Sequence, residues 1–217
     1  MIKDRQKKAA EIVNTIQSRI SEINERYRSG PDLYFYRKSI ELRKKSQNIE
    51  LFINDDYNVE ILYATLVSWD MNSRAAKMKY FDDFKKNILS CTSEFQQLEE
   101  IERSNQFDIN QLLRLLNRIY NKLALMKTDS KLVSNSKLLH FLFPNVCMPM
   151  DRNNTLSYIY NNTAESENKY LEIIQFSHEL IKNNPNFTDL VDNKWNTSIP
   201  KIIDNAIILL NGISVKS

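Results

Sequence analysis

Residues 133–155 read VSNSKLLHFLFPNVCMPMDRNNT. The stretch opens on an apolar run at helical spacing that carries one amine, Lys137. Pro144 stops that helix nearby, and residues 144–150 make an apolar loop. A Pro149-Met150 step then leads to Asp151, which is placed to begin the next helix. Read blandly, this is a helix, a loop and a cap in an all-helical protein. Read more sharply, an amine and a carboxylate meet in a cleft and give the protein a chemistry.

The composition supports a helical chain. There are two glycines, Gly30 and Gly212, whereas hairpin-rich sheets need glycine in their turns. Phosphate-cradling loops need it as well, so no nucleotide cofactor of the Rossmann or P-loop kind is expected. Cys91 and Cys147 fit neither a metal-ligand spacing nor a disulfide framework, and no metal or other cofactor is expected. The 217 residues suit one large domain or two small lobes sharing a core, and an apolar fraction of 42% suits a folded chain. The net charge of +3 permits an anionic partner without requiring one. No apolar stretch follows the early charges and no run is long enough to span a bilayer, so the expectation is a cytoplasmic protein with no membrane partner.

Periodicity predicts nine or ten helices and no sheet. Ile12, Val13, Ile16, Ile20, Ile23 and Tyr27 mark an amphipathic helix within 1–28, which the Ser29-Gly30-Pro31-Asp32 break ends. Residues 32–47 combine an aromatic cluster (Tyr34, Phe35, Tyr36) with a basic run. That run is either a solvated face or a phosphate-contacting surface. Residues 48–54 alternate weakly and suggest a short extended piece. Residues 57–70 are apolar nearly all round and belong in the core. Ser73 is placed to cap a helix over 75–89, Ser93 one over 93–104, and Asp108 one over 108–126. Ser134 or Ser136 would cap the helix of Lys137. A further helix covers 166–183. Pro200 sits in the first turn of the last helix, which Gly212 is placed to end.

Three segments, in this order, resemble the helix–hairpin–helix base-excision DNA glycosylases, the superfamily of endonuclease III and the 8-oxoguanine glycosylases. LYATLVSWDMNSRAAKM, Leu62 to Met78, is similar to the family's buried helix with its Ser-rich polar step. VSNSKLLHFL is similar to the second helix of the hairpin motif, where lyase members keep a nucleophilic lysine; Lys137 falls on it. Pro149-Met150-Asp151 is similar to the Pro-Val-Asp step that carries the family's catalytic aspartate. The hairpin glycines have no counterpart in Val133–Ser136, where Asn135 is the residue best able to turn left-handed. Asn153 stands where a histidine often follows the aspartate, and the cluster cysteines of the endonuclease III branch are missing.

The resemblance implies two helical lobes with a cleft between them. Residues 1–58 and 137–217 would form one lobe, and 59–136 the other. It implies a DNA repair glycosylase that excises a damaged or mismatched base, with abasic-site lyase activity through a Lys137 Schiff base and Asp151 stabilising the cationic transition state. Double-stranded DNA is the partner so implied. Asn72, Arg74, Asn135, Ser136 and Arg152 would contact nucleic acid, and Trp69 and His140 would border the base pocket. The residues themselves leave plainer readings open. Lys137 reads equally as a solvated helix lysine, Asp151 as an N-cap, and His140 and Trp69 as core. A non-catalytic helical protein of the same fold, binding nucleic acid or a protein partner, is the alternative.

Overall fold

Twelve α-helices and no strand occur among the described residues. In this computed structural model those are residues 2–27, 29–69, 77–104 and 107–214, with backbone alone for 212–214. The helices are α1 Arg5–Arg19, α2 Ile23–Arg26, α3 Pro31–Lys45, α4 Ile49–Asn54, α5 Asp56–Ser68 and α6 Phe81–Ser90. They continue as α7 Thr92–Arg103, α8 Ile109–Lys122, α9 Leu132–Leu142, α10 Ser157–Tyr160, α11 Glu167–Asn183 and α12 Ile199–Ser214. Among the described residues none is long and apolar enough to cross a membrane.

Local chemistry explains five of these starts. Pro31 occupies the first turn of α3, where its missing N–H has no helical partner to lose. The side chains of Asn48, Asp55, Asp108 and Ser166 each accept a hydrogen bond from a first-turn amide. Asn48 explains why residues 49–54 are helical rather than extended: with that cap, Ile49, Phe52 and Ile53 share one buried face. Three other starts differ from the sequence reading. Within the helix expected over 75–89, the described part is broken at Met78, which pairs across an isolated antiparallel bridge with Met126, and α6 begins at Phe81. Ser93 lies inside α7, which begins at Thr92 after Cys91. Ser134 and Ser136 lie inside α9 and bond back to Lys131 and Val133 carbonyls. The backbone of α12 runs on through Gly212 to Ser214. Ser73 lies outside the described residues.

The chain closes on itself, with α1 packed on α12. The central element is α9, which touches α3, α5 and α11 and buries every residue from Ser134 to Leu142. The buried apolar side chains form one continuous cluster. Boundaries at 58/59 and 136/137 fall within α5 and α9, so both helices span the division that the lobes would make. Part of the expected basic surface over 37–45 is consumed internally. Arg43 is buried and bonds Glu99 at 2.5 Å, tying α3 to α7, and Lys45 pairs with Glu41.

Candidate active site

Lys137 stands in the middle of the most buried helix of the chain and is itself 7% exposed, so it is not a solvated helix lysine. Its Nζ lies 5.2 Å from the centre of the Trp69 ring, a cation–π arrangement at the end of α5. It faces a cavity of about 270 Å³ that Asp151 also lines.

Ser136 brings these two groups to one place. Its hydroxyl donates to the Val133 carbonyl within α9 and accepts the amide of Met150 at 3.1 Å. The neighbour of Lys137 therefore pins the neighbour of Asp151. His140 and His178 fix the connecting loop through bonds to the carbonyls of Cys147 and Val146. Asp151 caps the π-turn Arg152–Leu156 with one oxygen: Oδ1 accepts the amides of Asn153 at 2.8 Å and Asn154 at 3.1 Å. The Asp151 amide in turn donates to Thr155 Oγ1. Oδ2 accepts no hydrogen bond among the described residues. The cap and the cavity-facing carboxylate are one side chain serving both purposes.

The opposite wall comes from α12 and the loop before it. Lys201 and Asp204, 3% and 4% exposed, form an ion pair with Nζ 2.7 Å from Oδ2. Lys201 Nζ also lies 5.2 Å from the Trp69 ring. Burial pushes the Asp204 carboxyl up from its ordinary value, against the pull of Lys201. Smaller effects come from Lys137, which lowers it, and Asp151, which raises it. Asp204 therefore senses the other three charges. Trp195 completes the wall, 6.4 Å from Trp69 and 5.3 Å from Tyr27 between ring centres. An asparagine–aspartate knot holds it: Asn24 accepts its amide, Asn205 donates to its carbonyl, and Asp192 closes the turn through the amides of Lys194 and Asn196.

Trp69 is both a core residue and part of the cavity wall. One side packs on Tyr36 at 4.9 Å and Phe141 at 5.0 Å, and the residue also lines the cavity. His140 is fully buried and does not line the cavity. A carbonyl can only accept, so Nδ1 must donate to Cys147, and the neutral ring then accepts from Tyr36 at Nε2, 2.7 Å away. Tyr36 in turn meets Thr197. Burial pushes the imidazole down to about 3, which keeps it uncharged.

Among the residues expected at nucleic acid, Asn72 and Arg74 lie outside the described residues. Asn135 is fully buried and donates to the Leu123 carbonyl, tying α9 to the end of α8. Ser136 is buried in the pin described above. Arg152 is half exposed, bonds Glu165 at 2.5 Å and meets Ser130. Glu165 also accepts the first-turn amide of Leu132 at 3.0 Å and the hydroxyl of Ser130 at 2.9 Å. A carboxylate thus occupies the N-terminus of α9. Exposed Lys77 and Lys127 lie on the short bridge that joins 77–79 to 125–127, with Lys127 4.4 Å from the ring of exposed Tyr80. Among the described residues no cluster of His, Cys, Asp or Glu is placed to hold a metal ion.

Tyr27, Asp32, Trp195, Lys201 and Asp204 line the cavity and were not singled out in sequence. One signal was available for the charged pair: a lysine and an aspartate three apart in the run Ile199–Leu210, which is apolar but for these two and Asn205. No protein-family model, curated protein or solved structure matches the chain.

Proposed function

We propose that the chain is a DNA N-glycosylase with abasic-site lyase activity. The supporting observation is that Lys137, Asp151 and the indoles of Trp69 and Trp195 wall one cavity of about 270 Å³. In this mechanism a nucleotide leaves the stack and its base lies against the indoles, which accept any base face. The base–sugar bond breaks through an oxocarbenium-like state, and Asp151, held by the turn it caps, stabilises the positive charge. Lys137 Nζ, once deprotonated, attacks C1′ as the base departs with the bonding electron pair and takes up a proton. Opening of the sugar gives the Schiff base, and loss of the C2′ proton expels the 3′ phosphate.

The alternative is a non-catalytic helical protein that binds nucleic acid or a protein. Its protein-binding form draws on the Glu165 carboxylate, which sits where a phosphate would meet the first turn of α9 and so disfavours duplex DNA there.

Borohydride reduction in the presence of a duplex carrying one abasic site separates the two. The enzyme reading predicts a covalent protein–DNA adduct with the wild-type protein and none with Lys137→Ala. No adduct, and no base release across a panel of lesion-bearing duplexes, would refute it.

A further inference from the structure

The proposed reaction leaves one charged pair in the cavity wall without a task. Lys201 and Asp204 are both more than nine-tenths buried and both line the cavity. Such a pair adds little to folding, because removing two charges from water offsets their attraction; apolar residues of similar size serve as well or better. The helix that carries it is otherwise built for that, with Ile202, Ile203, Ala206 and Ile207 all buried. The pair also keeps unused bonding capacity. Asp204 accepts through Oδ2, and Oδ1 accepts nothing among the described residues. The Lys201 ammonium spends one of its three N–H groups on Asp204. An ammonium donor and a carboxylate acceptor therefore stand side by side in the wall, next to the face of Trp69.

We propose that Lys201 and Asp204 are the specificity-determining residues of the cavity, reading the edge of a planar nitrogen heterocycle that carries a hydrogen-bond acceptor beside a donor. This rests on the reading of the cavity as a base-receiving pocket. The indoles hold any flat ring, so they do not discriminate among bases. The charged pair does. Lys201 donates to a carbonyl oxygen or ring nitrogen, and Asp204 accepts from the adjacent N–H. A ring lacking the donor would leave the Asp204 oxygen unpaired in a buried wall, and the penalty falls on that ligand alone.

The chain has two tryptophans, Trp69 and Trp195, and both line the cavity, so intrinsic fluorescence reports its occupancy directly. The probes are guanosine, adenosine and unsubstituted purine riboside, whose ring stacks but offers no exocyclic donor. Wild-type protein should bind guanosine or adenosine about tenfold or more tightly than purine riboside. The informative variant is the double one, Lys201→Met with Asp204→Leu, which removes both charges together; either single change leaves a buried charge uncompensated and threatens the fold. The double variant should bind all three nucleosides alike. Equal binding of the three nucleosides by wild-type protein, or no quenching by any of them, would overturn the proposal. So would a double variant that folds and still prefers guanosine or adenosine over purine riboside. Should the double variant not fold, the wild-type comparison alone decides. Discrimination without any abasic adduct would remove the lyase reading and leave this one standing.

Discussion

At the scale of single residues, Asp151 carries two functions that a substitution can separate. As a cap it needs only an acceptor at Oδ1; as a stabiliser of a cation it needs charge. Asn retains the acceptor, so Asp151→Asn should change unfolding free energy by less than about 1 kcal/mol. Base release should nevertheless fall by about 10²–10³-fold. Single-turnover kinetics beside urea unfolding would show it, and parallel loss of stability and activity would reduce Asp151 to a cap. His140 makes a prediction of a different kind. Its folded pKa of about 3 lies below the ordinary 6.5, so between those values the unfolded chain binds more protons than the folded one. Its contribution is fully present above pH 6.5 and is lost as pH falls toward 3, with a slope approaching about 1.4 kcal/mol per pH unit. His178 is shifted the same way, whereas Asp204 and Glu102 are raised and act with the opposite sign. The difference between wild type and His140→Gln isolates the one group: unfolding free energies measured at pH 7 and pH 5 should converge toward the lower pH. A constant gap would contradict the buried neutral ring. Lys137 and Asp151 stood out in sequence because a lone amine in an apolar run and a carboxylate after Pro-Met are unusual. Ser136 was read as a cap or a nucleic-acid contact and its pinning role was not legible, because the amide it receives comes from fourteen residues away.

The elements show where sequence reading succeeds and where tertiary contacts intervene. Strong apolar periodicity placed α8 and α11 to within a few residues, the Asp108 cap placed the start of α8, and proline placed the starts of α3 and α12. Residues 78–80 were misread as helix because Met78 is drawn into a pairing with Met126, nearly fifty residues on, which no local pattern encodes. The start of α9 was misassigned for a related reason: its cap is Glu165, supplied from a distant loop. That arrangement carries a consequence. A carboxylate at the first turn of α9 competes with any phosphate for the same amides and repels it. Glu165→Gln keeps an acceptor there and removes the charge. Fluorescence anisotropy with a labelled abasic duplex should show severalfold tighter binding, and a dependence on salt at least as steep as for wild type. Unchanged or weaker affinity would mean that duplex DNA does not approach this end of the helix.

Over the whole molecule, the cavity exists because distant parts of one chain converge. Tyr27 and Asp32 come from the N-terminal segment, Trp69 from the end of α5, Lys137 and Asp151 from either side of one loop, and Trp195, Lys201 and Asp204 from the C-terminal part. The packing of α1 on α12 and the burial of α9 against α3, α5 and α11 hold them in register. The all-helical class was legible from two glycines and from periodicity. The far wall of the cavity was not, because convergence of residues separated by more than a hundred positions leaves no local trace. The central claim is that Lys137, of all the amines in this assembly, is the one that meets the sugar. Its most direct test is mass-spectrometric mapping of the lysine joined to a borohydride-reduced abasic duplex. The adduct should lie on the peptide containing Lys137, and its absence from that peptide, or its presence on Lys201 instead, would contradict the account.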